Sequence, residues 1–296
     1  MQLRSVRRPD DLAALDELFE IVDECDGHRP IGEHKYLDLL HGDPVRVTGL
    51  VGEIAGKVVA YAAVSEPTAD ATGAVEIAIH PLHRSQDVVA AVLAGAVDRV
   101  RAMGASKVRT WTFQPHFVGM LVAMGFHPER ELRQLRRPLP ADAEPRFPEG
   151  ISVRGFRVGY DEPTWLAVNN AAFGGHPENG RWTREVLEDR KAQTWFDPDG
   201  FKMAWDGDDL AGFCWTKMHD RGEGEIYVIA VTAEKRRRGL GRALVLDGLE
   251  YLATERGATG AMLYVDADNA AGIRLYESLG FRLDHVDRSL VKALDR

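Results

Sequence analysis

An order of motifs that recurs once along the chain limits the fold more than any single residue does. The segment Val75-Glu76-Ile77-Ala78-Ile79-His80-Pro81, followed by Arg84, is echoed half a chain later by Ile226-Tyr227-Val228-Ile229-Ala230-Val231-Thr232, followed by Arg236. Gly125-Phe126 is matched in the same way by Gly280-Phe281. Between these anchors both halves read as an apolar strand, a helix after a basic residue, Gly104 or Gly257, a second strand, a shorter helix and Gly-Phe. One fold is used twice, as suits a chain of 296 residues when a typical domain has ~150. Pro138, Pro140, Pro145 and Pro148 crowd residues 136–150, a composition that resists regular structure. The expected division is an amino-terminal domain over 1–137, a linker over 138–150 and a carboxy-terminal domain over 151–296.

The periodicity within each half gives a mixed α/β class. Leu12, Leu15, Leu18, Phe19 and Val22 recur at helical spacing after a cap-like Asp10. Two β-rich runs follow, over 47–54 and 57–64, joined by Ala55-Gly56. The second half repeats the hairpin over 200–205 and 210–216, through Asp206-Gly207-Asp208-Asp209. Each half closes with strand, long helix, strand, short helix and strand, predicting a central sheet partly antiparallel and partly parallel, flanked by helices.

Composition narrows the partners. The net charge of −9, from 37 Lys+Arg against 46 Asp+Glu, is a poor basis for tracking nucleic acid. The longest apolar run, 88–97, ends at Asp98 and falls short of the ~20 residues that a bilayer span needs. Arg4, Arg7 and Arg8 near the amino terminus disfavour a secretion signal. Cys25 and Cys214 are too few and too far apart for a disulfide or metal framework, so a cytoplasmic protein without a metal is expected.

The sharpest local signal is Arg236-Arg237-Arg238-Gly239-Leu240-Gly241-Arg242-Ala243, lying after a strand over 225–231 and opening a helix that carries Leu240, Leu244, Leu249 and Leu252. Its glycines let backbone approach a ligand closely, and the first N–H groups of a helix are free donors to an anion such as a diphosphate. On its own this could be an ordinary basic helix start. After the next strand, over 261–265, comes Asn269-Ala270-Ala271-Gly272-Ile273-Arg274-Leu275-Tyr276, ending at Gly280-Phe281. Together the two segments closely resemble the GNAT acetyltransferase superfamily, with Gly272 where alanine is usual. The resemblance implies two tandem GNAT-type domains, each a mixed sheet flanked by helices, and acetyl-CoA as co-substrate. It implies that adjacent parallel strands splay apart, with the pantetheine arm pairing to backbone at Ile229, Ala230 and Val231. The pyrophosphate is then assigned to 236–242, further cofactor contacts to Asn269, Ala270, Ala271, Gly272, Ile273 and Arg274, and protonation of the leaving thiolate to Tyr276. Read alone, Tyr276 is a core aromatic.

Other segments point to an acceptor. His176-Pro177-Glu178-Asn179-Gly180-Arg181-Trp182-Thr183, Trp195-Phe196-Asp197-Pro198-Asp199-Gly200, Trp215-Thr216-Lys217 and Gly224-Glu225-Ile226-Tyr227-Val228 resemble the mycothiol synthase family, as do Asp26-Gly27, Pro30 and Gly32-Glu33-His34. Members move acetyl to the cysteinyl amine of a cysteine–glucosamine–inositol conjugate. That ammonium must lose a proton before it attacks, and Glu225 stands where the general base is needed. The resemblance nominates Glu33, Glu178, Lys217, Glu225 and Tyr264 for substrate binding, Glu33 from the amino-terminal half; each charged residue alone reads as an ordinary surface charge. Direct transfer is expected, because neither cysteine lies in a nucleophile motif. In the first half, Asp87 and Val89 replace the loop glycines, and His116, Phe117 and Met120 occupy a segment without the second half's asparagine and tyrosine, so that half reads as a non-catalytic scaffold. The expected partner is one small amino-sugar and inositol substrate, bound by a monomer. Another amine, such as an aminoglycoside or a peptide terminus, stays open, as does a non-catalytic acyl-CoA-binding regulatory module.

Overall fold

Parallel pairing occurs twice among the described strands, and each instance lies at the centre of one copy of the repeat. In the computed structural model the described residues are 1–7, 10–41, 47–68, 70–174, 182–219, 221–236 and 238–294. The first unit comprises Met1–Glu131 with Asp287–Arg296, and the second Leu132–Val286.

In unit 1 the elements are β1 (Gln2–Ser5), α1 (Leu12–Asp26), α2 (Glu33–His41), β2 (Val47–Ile54), β3 (Lys57–Ser65), β4 (Thr72–Ile79), α3 (Gln86–Ala102), β5 (Lys107–Thr112), α4 (Pro115–Ala123) and the start of β6 (His127–Pro138). Unit 2 adds β7 (Ile151–Gly155), α5 (Glu162–Ala172), α6 (Arg184–Lys191), β8 (Phe201–Asp206), β9 (Asp209–Met218), β10 (Glu223–Val231), α7 (Leu240–Thr254), β11 (Gly260–Asp266), α8 (Ala270–Ser278) and the start of β12 (Arg282–Ala293). Unit 1's sheet runs β1-β2-β3-β4-β5-β12, and unit 2's runs β6-β11-β10-β9-β8-β7. The units are therefore not the contiguous halves expected from the prolines. The end of β12 completes unit 1 through Arg288–Ala293 against β5, while the end of β6 completes unit 2 through Leu132–Pro138 against β11.

Residues 139–150 carry neither helix nor strand, as the proline content requires, but Leu139, Ala141 and Phe147 pack on the core beneath α7. The first helix is capped by Asp11 rather than Asp10. Asp11 makes no side-chain cap because its carboxylate takes the Arg4 guanidinium at 2.7 Å and the Arg7 N–H at 2.6 Å. The Ala55-Gly56 turn has positive φ at both positions, 51° and 77°, the geometry that matches the twist of a two-residue hairpin.

The sheet of unit 2 is covered differently on its two faces. Toward α7 it presents Cys214 and Ile226; a Cβ on Gly248 would stand 2.9 Å from the Cys214 sulfur, so glycine lets the helix lie close. Toward α5 it presents Phe213 and Trp215, gathered with Phe201 around the fully buried Trp165 at ring separations of 5.4 to 5.7 Å. Such edge-to-face pairs are each worth ~1 kcal/mol beyond the area they bury. The result is a stiff base under the strand that carries Glu225. No helix of the described residues is long and apolar enough to cross a membrane.

Candidate active site

β10 and β11 pair in parallel only from Glu223 opposite Gly260 to Glu225 opposite Met262, although β10 continues to Val231 and β11 to Asp266. Past Glu225 the ladder opens. β10 keeps its partner on the other side, where Ile229, Ala230 and Val231 face Cys214, Phe213 and Gly212 of β9. One backbone edge of β10 is thereby left to pair with something extended, such as the amide-containing arm of a ligand. The β9 to β10 register also shifts between Ile226 and Val228, so Tyr227 is an extra residue. A bulge of this kind re-aims side chains beside it.

Glu225 occupies the last paired position before the gap. Its side chain is only 8% exposed, and its Oε2 lies 2.8 Å from His219 Nε2. Lys217 is the directly opposed residue on β9. The Lys217 ammonium rests 4.7 Å from the Trp195 ring centre and 5.3 Å from that of Tyr227. Cation and carboxylate therefore stand on one face of the sheet, walled by two aromatic rings. Tyr264 on β11 accepts a hydrogen bond from Gln134 Nε2 at 2.6 Å, and Gln134 Oε1 accepts one from Arg136 Nε at 2.8 Å.

The loop after β10 has the features an anion requires. Gly239 adopts φ +81° as the N-cap of α7, offers no side-chain cap, and has nothing within 4 Å of where a Cβ would lie. The first described backbone bond into the helix is Ala243 N–H to Gly239 O, which leaves the preceding amides as donors. Arg236 donates to Val231 O at 3.2 Å, Arg238 is exposed, and Arg242 spans to Ser278 Oγ at 3.1 Å. Leu240 and Ile273 turn inward to the core, so only their backbone faces the loop side. Beside Gly239 and Arg242 lies a cleft of about 680 Å³, lined also by Asp142, Glu144, Arg146 and Leu246. These donors and this open, Cβ-free position fit a diphosphate.

At α8 the Asn269 side chain accepts the Gly272 N–H at 2.9 Å and so caps the helix. A Cβ at Gly272 would lie 2.8 Å from the Asn269 amide nitrogen, so glycine leaves that cap room. Ala270, Ala271 and Arg274 are exposed on the first turns. Tyr276 is 8% exposed and meets Phe281 edge to face at 6.0 Å. Burial, with Cys214 as a lesser contributor, pushes its hydroxyl above the usual phenol range, so it stays protonated at neutral pH. Burial likewise pushes the Cys214 thiol up, which makes it a poor nucleophile. Arg237, Glu178 and the side chain of Glu33 lie outside the described residues. His219 is not named in the sequence, and Trp195 and Tyr227 stand there only within longer motifs and without a role, because a bulge and a turn histidine acquire meaning only once the strands are paired.

This fold and this gap define a GNAT acetyltransferase, and the acetyltransferase (GNAT) family model matches residues 165–281. Over the whole chain the similarity is more particular. A mycothiol acetyltransferase of Thermobispora bispora is 41% identical over 293 residues, covering 94% of this chain and 95% of that protein. The chain belongs to the mycothiol acetyltransferase family, whose chemistry is acetyl-CoA-dependent N-acetylation. Among solved structures, a tandem GNAT protein from the clavulanic acid biosynthesis pathway superposes with a TM-score of 0.80 at 17% identity, covering 100% of this chain and 99% of that one. A GCN5-related N-acetyltransferase from Sphaerobacter thermophilus gives 0.75 at 23% identity, covering 98% and 95%. At these identities the structural likenesses speak for the fold alone, and they agree with the tandem α/β architecture.

Proposed function

We propose that the chain transfers acetyl from acetyl-CoA to the cysteinyl amine of the cysteine–glucosamine–inositol conjugate, the last step in making mycothiol, and that unit 2 carries the catalysis. The observation that carries this reading is the position of Glu225, a shielded carboxylate at the point where β10 parts from β11. Backbone at Ile229, Ala230 and Val231 takes the pantetheine arm, and the amides and arginines of 236–242 take the diphosphate, with α8 from Asn269 to Arg274 closing the other side. Glu225 accepts a proton from the cysteinyl ammonium, and the neutral amine attacks the thioester carbonyl. As the carbon–sulfur bond breaks, Tyr276 protonates the departing thiolate, and the second proton shed by the attacking nitrogen as it becomes an amide restores the tyrosine hydroxyl. Glu178, Lys217 and Tyr264 are assigned to the polar groups of the acceptor.

Unit 1 is read as a non-catalytic scaffold. Its strands β4 and β5 also part, after Val75 and Thr110, but β4 has no bulge against β3. Arg84, which corresponds to Arg236, is tied by two 2.7 Å bonds to Asp26. Ser85 caps α3 through the Val88 N–H, and Asp87 adds a carboxylate to that first turn. These features oppose anion binding there. The enzyme is expected to work in the cytoplasm on a small molecule, as a monomer and without a metal. Incubation with the conjugate and acetyl-CoA, followed by mass spectrometry, tests the reading: one acetyl on the amine with the thiol free supports it. No product above an enzyme-free control, with efficient acetylation of an unrelated amine, overturns it.

A further inference from the structure

We infer that His219 is a positioning residue that holds the Glu225 carboxylate for proton abstraction, an inference that rests on the reading of Glu225 as the base. His219 belongs to the turn between β9 and β10 and lies outside both the loop and the α8 segment that mark the fold. Three observations place it. Its Nε2 is 2.8 Å from Glu225 Oε2, within normal hydrogen-bond reach. Its backbone is pinned, with its N–H donating to Glu223 O and its C=O accepting from Gly222 N–H, each at 2.9 Å, while Gly222 takes φ +77° to close the turn. Its side chain is 27% exposed against 8% for Glu225, so the imidazole is the more solvent-accessible member of the pair.

An ionised carboxylate can only accept, so the nitrogen facing it carries the hydrogen and Nε2–H donates to Oε2. That bond fixes the carboxylate plane and commits one oxygen. Oε1 is left as the atom that meets the acceptor amine. Lys217 stands directly opposite on β9, but its ammonium is drawn over the Trp195 and Tyr227 rings. His219 is therefore the group with a defined short bond that sets the carboxylate's rotation. Without it the carboxylate can rotate away from its productive orientation, and loss of orientation slows proton transfer more than it weakens binding.

The test compares His219→Ala, His219→Gln and Glu225→Gln in steady-state kinetics, with acetyl-CoA binding by calorimetry as the check on folding. The alanine variant should lose about tenfold or more in kcat with the acetyl-CoA Kd unchanged, whereas glutamine, which keeps an N–H donor, should stay within about threefold of the parent. Parental kcat in His219→Ala alongside a large loss in Glu225→Gln makes His219 a bystander and overturns the inference. Equal impairment by alanine and glutamine also overturns it, because the donated hydrogen bond is then not what matters. A parental rate in Glu225→Gln instead removes the base itself, and the proposed mechanism falls before His219 is reached.

Discussion

Lys217 and Glu225 stand directly opposite each other on β9 and β10, both nearly buried, at the one place where β10 loses its parallel neighbour. Replacing Glu225 by glutamine keeps the shape but removes the proton acceptor. The acetyl-transfer rate should fall by ~10²–10⁴ while acetyl-CoA binding is unchanged. Part of the loss should return at high pH, where the substrate amine is already neutral. A variant retaining more than half the parent rate near neutral pH, with chemistry rate-limiting, contradicts the base role.

Tyr276→Phe should behave differently. The hydroxyl is held protonated by burial, which suits the donor role proposed for it. A thiolate leaves tolerably well unaided, so the defect should be smaller than that of Glu225→Gln, and raising the pH should not repair it. Pre-steady-state rates across pH separate the two variants; matching pH recovery in both removes the donor assignment.

Acetyl-CoA should bind with a stoichiometry of one per chain. The unit 2 loop keeps a left-handed glycine at φ +81° and uncapped amides, whereas in unit 1 Ser85 already caps the corresponding helix. Replacing Gly239 and Gly241 together by valine should weaken that binding about tenfold or more, since a left-handed non-glycine residue alone costs ~1–2 kcal/mol. Calorimetry reads both outcomes, and two equivalent tight sites contradict the account.

Acid should weaken unit 2 partly through Glu162. Burial alone would raise this carboxyl, but the Lys191 ammonium at 2.5 Å and the Gly159 N–H at 2.8 Å overcome it and hold it below the ordinary range. A lowered folded-state value means that the stabilisation is present above the unfolded carboxyl range, ~4.3, and is lost as pH falls through the folded value. Glu162→Gln should cost about 2 kcal/mol at pH 7, because it removes the buried partner of Lys191 and leaves the ammonium only the half-exposed Glu188 carboxylate at 3.0 Å. Denaturant titrations should show the gap to the parent closing as the buffer is taken toward pH 3. Stability curves that stay parallel over that range contradict the role given to the pair.

The sequence carried the repeat, the hairpins and the phosphate-loop helix because each depends on local periodicity and turn chemistry. Asp206 to Asp209 form the second hairpin turn as read, and Leu240, Leu244, Leu249 and Leu252 all face the core. The partition at the prolines was not legible correctly, because strand ownership is a long-range property: nothing local in Arg288–Ala293 says that its partner is β5. Glu225 was visible as a candidate base, yet its environment was not. The Tyr227 bulge, the His219 contact and the ring pair around Lys217 all arise from register. Asp10 was a near miss of one residue, since the charge that would have capped the helix is spent on Arg4.

The exchange of final strands has a consequence for how the polypeptide is made. Synthesis runs from the amino terminus, and domains ordinarily fold as they emerge from the ribosome. Unit 1 cannot do so completely, because the strand that covers β5 is encoded by Asp287–Arg296, after all of unit 2. Until those residues are made, one edge of β5 lacks its native partner, the kind of row of unpaired amides and carbonyls that invites wrong pairing. Unit 2, by contrast, receives the β6 segment Leu132–Pro138 before the rest of its own sheet exists. A released chain that stops shortly before residue 287 should therefore carry a nearly finished second unit and an unfinished first one, the reverse of the order in which they were translated.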